Sequence, residues 1–141
     1  MERSRFRHFE EIHSRWEDQD CYRHINNVVA YSFFDTAVNR HMMQAAGFSI
    51  HDPHVGFVVN SSCDYFKPLS FPSLVSVGIA IPHGSLGTSS VKYQLALFSG
   101  DDSSASAQGS FTQVFVDAAT QKPAPIPDRV RSCLEALLVP P

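Results

Sequence analysis

The chain has 141 residues, of which 43% are hydrophobic and 18% charged, the make-up and length of one globular domain. Its formal net charge of −3 at pH 7 argues against a general binder of nucleic acid or anionic membrane, which would cluster Lys and Arg. The apolar runs, such as Val55-Gly56-Phe57-Val58-Val59, fall far short of the ~20 residues that span a bilayer. The basic N-terminus is followed by no apolar stretch, so a cytoplasmic location is expected.

In chain order, Phe9, Ile12 and Trp16 suggest a first strand from about His8 to Trp16. A polar segment runs from Glu17 to Asn26. Beyond it, Tyr31, Phe34, Val38, Met42 and Ala45 recur at three- and four-residue spacing, while Ser32, Asp35 and Asn39 fall on the opposite side. That spacing predicts an amphipathic helix of about 20 residues and roughly 30 Å. Asn26 or Asn27 can cap its start and Gly47 can end it. Val55 to Phe66 reads as a strand. So do Val75 to Ile81, ending at Pro82, and Val91 to Leu97, ending at Ser99-Gly100. Ala105 to Val116 alternates as a half-solvated antiparallel strand should, and Gly100 to Ser106 looks like an exposed hairpin loop. Pro123, Pro125 and Pro127 break the pattern before a short terminal helix marked by Val130, Leu134, Leu137 and Leu138. Short links imply antiparallel neighbours. The expectation is one α+β domain over 1–141, with a core at about 8–117 and a tail with a short helix at about 118–141.

The densest cluster of functional side chains is Trp16-Glu17-Asp18-Gln19-Asp20-Cys21-Tyr22-Arg23-His24-Ile25-Asn26-Asn27, in the connection that enters the long helix. A carboxylate beside a helix N-terminus can act as nucleophile or base, and the free N–H groups of the first turn can stabilise an oxyanion. That combination suits acyl transfer. The same residues also serve as caps and turn formers, and spacing alone leaves both readings open.

The stretch Arg15-Trp16-x-Asp18-x-Asp20-x-Tyr22-x-His24-Ile25-Asn26-Asn27-Val28-Val29, with Phe33-Phe34-Asp35 after it, resembles the signature of the 4-hydroxybenzoyl-CoA thioesterase-like branch of the hotdog superfamily. Cys63-Asp64-Tyr65-Phe66-Lys67-Pro68, Leu86-Gly87-Thr88-Ser89-Ser90-Val91, Ala107-Gln108-Gly109 and Val114-Phe115-Val116-Asp117 are similar to that branch as well. The resemblance covers roughly His8 to Arg131. It implies a hotdog fold, in which a curved antiparallel sheet of five or six strands wraps the long helix and pairs edge to edge with a second copy. It implies a homodimer, or a tetramer of such dimers, with sites at the dimer interface.

The resemblance further implies an acyl-CoA thioesterase. Asp20, second of the D-x-D pair, would be the catalytic nucleophile or general base, with backbone N–H groups near Asn27 polarising the thioester carbonyl; His24, read from its place in the loop, could orient Asp20 or a bound water, or equally hold the turn together. Gly56, Phe57 and Val58 match acyl-pocket positions, and Tyr31 and Tyr65 could add to an aromatic-lined slot. Thr88, Ser89 and Ser90 match positions that meet the coenzyme A arm, with Lys67 a further substrate-binding residue. No cofactor is implied beyond the coenzyme A thioester as substrate. Two positions depart from the family pattern: Arg23 stands where glycine is common, and Ala30 where tyrosine is common. These departures favour the alternative of a hotdog protein that binds acyl-CoA or an acyl carrier without hydrolysis.

No metal site is expected. Among seven histidines the pair His51-x-x-His54 lacks further ligands nearby. The three cysteines, Cys21, Cys63 and Cys133, share no C-x-x-C spacing and should be free thiols.

Overall fold

Alternating and helical spacings become five strands and two helices in the computed structural model, which describes all residues from Met1 to Pro141. The order is β1 (His8–His13), α1 (Asn27–Ala46), β2 (His54–Tyr65), β3 (Leu74–Ala80), β4 (Ser90–Ser99), β5 (Ala107–Asp117) and α2 (Asp128–Glu135). All five strands form one antiparallel sheet in the spatial order β1-β3-β4-β5-β2.

The ends of α1 are those the sequence predicts. The Asn26 side chain accepts the Val28 N–H at 3.0 Å, and Gly47 closes the helix in the left-handed conformation at φ 63°, which a residue without Cβ adopts at no steric cost. Phe33, Phe34, Ala37, Val38 and Met42 are buried against Val75, Val77 and Ile79 of β3, Val91, Tyr93, Leu95 and Leu97 of β4, and Phe111 and Phe115 of β5. Gly109 of β5 lies directly under the Phe34 ring of α1. A Cβ there would lie 2.8 Å from Phe34 Cε2 and 2.3 Å from the Ser62 carbonyl oxygen.

The outer face of β3 and β4 is also covered. Phe6, Ala80, Ala96, Phe98 and Ala105 form a second small core, with Met1, Phe9 and Val139 packed on it. This explains why β3 is buried on both faces from Val75 to Ala80 despite its alternating sequence.

Four expectations need correction. β1 stops at His13, and Trp16 is 68% exposed: Asp18 accepts the Arg15 N–H at 2.7 Å and draws residues 16–18 into a 3-10 turn. Ala45 is exposed and Ala46 takes the buried place. In the loop after β4, Ala105 and Ser106 are buried, because the N-terminal segment lies over it: the Ala105 N–H donates to the Met1 carbonyl at 3.0 Å. Finally, β2 does not neighbour β3. It pairs with β5, from His54 opposite Asp117 to Tyr65 opposite Ala107, and forms the sheet edge away from β1. The link from Phe66 to Ser73 extends over up to roughly 25 Å, while three strand spacings need only about 14 Å. A short connection therefore sets strand direction without setting adjacency.

Candidate functional site

The loop before α1 is held by its two aspartates in different ways. Asp18 is 2% exposed. Its Oδ1 accepts from Arg15 Nε at 3.1 Å and Arg15 Nη2 at 2.9 Å, while its backbone carbonyl accepts the Asn26 N–H at 2.9 Å. This first aspartate is an anchor. Asp20 is half-buried. Its Oδ1 accepts the Tyr22 N–H at 2.8 Å and lies 3.4 Å from the His24 N–H. A further pair of backbone bonds, Asp20 N–H to His24 carbonyl at 2.9 Å and Arg23 N–H to Asp20 carbonyl at 3.0 Å, closes the turn. Asp20 thus spends one carboxylate oxygen on its own loop.

Arg23 adopts φ 61°, so the left-handed turn is made without glycine. Burdening a side chain with that conformation costs on the order of 1 kcal/mol. Besides its own N–H bond to Asp20, the turn is tied by Ser70 Oγ donating to the Arg23 carbonyl at 3.0 Å and by Ile25 N–H donating to the Leu69 carbonyl at 2.7 Å.

Asp20, His24 and Asn27 line one cavity of about 330 Å³, together with Ile25, Ala30, Tyr65, Phe66, Lys67, Pro68, Leu69, Leu97 and Ala107. That volume lies at the lower end of the range for small-molecule sites. Asn27 is the first residue of α1, so its N–H has no carbonyl one turn back to donate to. The helix dipole adds partial positive charge at the same place. The Tyr65 hydroxyl donates to the Asn27 carbonyl at 3.3 Å; its pKa is pushed up, first by burial and then by Cys63 and Tyr31 nearby. Lys67 Nζ lies 3.2 Å from Ser104 Oγ and 3.5 Å from Asp102 Oδ2, which steadies a cation at the cavity wall. The His24 ring is exposed.

The other sequence-predicted residues stand elsewhere in the chain. Tyr31 packs on Phe111 with the rings nearly parallel, centroids 6.4 Å apart, and Ala30 rather than Tyr31 faces the cavity. Gly56, Phe57 and Val58 pair with Phe115, Val114 and Gln113, and Ser90 pairs with Val114 from the other side. Gly56–Val58 and Thr88–Ser90 thus share one end of the sheet, and Tyr65 and Asp20 belong to the other. The eight residue-to-residue steps of strand from Phe57 to Tyr65 cover roughly 26 Å. Thr88 borders a groove of about 480 Å³ with Leu86, Gly87, Ile126 and Arg131, where Arg131 Nη2 donates to the Gly87 carbonyl at 2.6 Å.

The sequence reading missed the apolar wall of the Asp20 cavity, namely Leu69, Leu97 and Ala107. No spacing rule joins these positions to Asp20; only the Ile25–Leu69 backbone bond and the pairing of Leu97 with Ala107 bring them there.

Known proteins bear on this architecture. The PA5185 protein of Pseudomonas aeruginosa strain PAO1 is similar at 43% identity with a TM-score of 0.93, over 97% of this chain and 95% of that one. A thioesterase from Thermus thermophilus, solved with coenzyme A and Zn, is similar at 26% identity and TM-score 0.74, over 94% of each chain. A 1,4-dihydroxy-2-naphthoyl-CoA thioesterase from Synechocystis shares the fold at 14% identity and TM-score 0.78, over 89% of this chain and 93% of that one. No match occurs among curated proteins. No helix is long and apolar enough to cross a membrane. A family model described as the thioesterase-like superfamily matches residues 14–134, and with one long helix packed on a five-stranded antiparallel sheet the chain is a hotdog-fold member of the thioesterase-like superfamily.

Proposed function

We propose that this protein hydrolyses an acyl-CoA thioester, with Asp20 as its catalytic carboxylate. The observation that carries the reading is the shared cavity: a carboxylate with one oxygen left over from its turn, the first N–H of a long helix and an apolar wall meet at one place. The thioester carbonyl would sit at the helix start, where N–H groups stabilise the oxygen as it gains negative charge. Asp20 then works in one of two ways. It adds to the carbonyl carbon and expels the thiolate, leaving an anhydride that water cleaves, or it takes a proton from the water that adds. Both routes consume one water and release a carboxylic acid and the coenzyme A thiol.

Within one chain the cavity lacks Gly56–Val58 and Thr88–Ser90. A homodimer supplies them. The outer edge of β2 has no partner strand, and its Phe57, Val58 and Val59 are 45%, 44% and 60% exposed; such an edge is a liability that self-pairing removes. Antiparallel pairing of two β2 strands sets the start of one beside the end of the other, so each Asp20 cavity would face the Gly56–Val58 end of the second copy. The coenzyme A complex of the Thermus relative supports the same ligand class here.

The test is thiol release from short, long and aromatic acyl-CoAs by wild type and Asp20→Asn at matched folding and oligomeric state. A fall in kcat of at least about a hundredfold is expected. Saturable acyl-CoA binding by wild type without any thiol release would replace hydrolysis with the reading of an acyl-CoA binding protein.

A further inference from the structure

Far from the Asp20 cavity, toward the other end of α1, three side chains of ligand type converge from two elements. His8 and Glu10 are two residues apart on β1 and so share a face; His41 comes from α1. His8 Nε2 is hydrogen-bonded to Glu10 Oε2. The His8 and His41 rings lie with centroids 4.0 Å apart, and donor atoms of all three residues lie within 4.8 Å of one another. The Glu10 side chain is only 8% exposed.

An ion pair accounts for part of this cluster. Arg40 Nε donates to Glu10 Oε1 at 2.5 Å, and Arg40 Nη2 to the Glu11 carbonyl at 2.6 Å. That leaves Glu10 Oε2 to His8, but it gives His41 no acceptor or carboxylate of its own. Its polar neighbour is the Cys133 thiol, with Sγ 3.5 Å from Nε2. Two imidazoles in contact at a 34° tilt beside a buried carboxylate are more than that ion pair requires.

We propose that His8, Glu10 and His41 bind one divalent transition-metal ion, Zn2+ foremost. Two nitrogens and one carboxylate oxygen form a donor set suited to zinc, whereas magnesium and calcium take oxygen ligands. Donors around tetrahedral zinc stand roughly 3.3 Å apart for metal–nitrogen distances of about 2.0–2.1 Å, so the observed spacing closes with small side-chain rotations. Arg40 holds the far oxygen of Glu10 and directs the near one at the site, the kind of outer support that metal-bound carboxylates have. Cys133 does the same for the His41 ring. Three protein ligands leave a fourth position for water. The ion would bind the edge strand β1 to α1, so its effect is on stability. The 14 residues from Asn27 to His41 put it about 21 Å along the helix from the Asn27 N–H, and the proposal does not rest on the thioesterase reading.

Metal-stripped protein titrated with Zn2+ by calorimetry should take up one ion per chain with Kd tighter than ~100 µM, and the melting temperature should rise with zinc. Co2+ in place of zinc should give the visible absorption of a low-coordinate site. His41→Gln and Glu10→Gln should each weaken zinc binding at least tenfold, while His51→Gln, in an exposed turn, leaves it unchanged. Binding weaker than ~100 µM by wild type overturns the proposal whatever the variants do. So does undiminished binding by His41→Gln, with folding of each variant checked by circular dichroism in EDTA.

Discussion

Asp18 and Asp20 stand two residues apart in one loop, yet Asp18 is sealed against Arg15 and the Arg15 N–H while Asp20 opens on the cavity. Removing the first should damage the fold and removing the second the chemistry. Asp18→Ala removes the acceptor of the half-buried Arg15 N–H and leaves the exposed Arg15 guanidinium only Glu17, and should cost about 1–2 kcal/mol of stability. Urea denaturation would measure it; a midpoint equal to wild type would mean that the loop is held by its backbone bonds alone.

Gly109 should tolerate no side chain. The Cβ of alanine would press on a backbone carbonyl and on the fully buried Phe34 ring, neither of which can move freely, and overpacking of this sort costs ~1–3 kcal/mol. At Gly78 the same substitution meets the Phe6 ring at 2.7 Å. Phe6 belongs to the N-terminal segment and can give way more easily. Gly109→Ala is therefore expected to lower the thermal midpoint more than Gly78→Ala, and the reverse order would place the tighter contact on the outer face.

Much of this was legible in the sequence because it depends on neighbours along the chain. The helix limits at Asn26 and Gly47 follow from local capping chemistry, and the strand positions from alternation. The β2–β5 pairing was hidden because chain order and link length allow several sheet orders. Asp20, His24 and Asn27 could be grouped by proximity in sequence. Leu69 and Leu97 could not, since backbone bonding between distant segments puts them in the cavity wall. Arg23 illustrates a third case: its residue type argues against the left-handed turn, and three hydrogen bonds around it override that preference.

The three thiols should separate by reactivity. Cys21 is exposed, while burial raises the pKa of both Cys63 and Cys133 above the ordinary thiol value. A raised pKa lowers the thiolate fraction at a given pH, and the thiolate is the species that reacts. With iodoacetamide at pH 8, Cys21 should be labelled first, by at least about tenfold over the other two, and the rates at Cys63 and Cys133 should keep climbing as pH rises past 9. Peptide mass spectrometry resolves the sites, and early labelling of Cys133 would contradict its burial.

Self-pairing of β2 has a register that can be checked. If Phe57 of one copy is to lie opposite Tyr65 of the other, paired residue numbers must have their midpoint at Ser61, which then faces itself across a two-fold axis. Opposed residues in an antiparallel pair have Cα atoms about 4.5–5.5 Å apart, within reach of a disulfide. Ser61→Cys, in a background with Cys21, Cys63 and Cys133 replaced by serine, should therefore form a covalent dimer under mild oxidation. Light scattering should give twice the 15.7 kDa chain mass before oxidation, or a larger even multiple. Val59→Glu puts a charge on the exposed edge, and should yield monomers with native circular dichroism and no thiol release, because each Asp20 cavity loses the second copy. A monomeric Val59→Glu that keeps wild-type turnover would show that one chain holds a complete site, and the pairing argument would then fail even if the dimer itself exists.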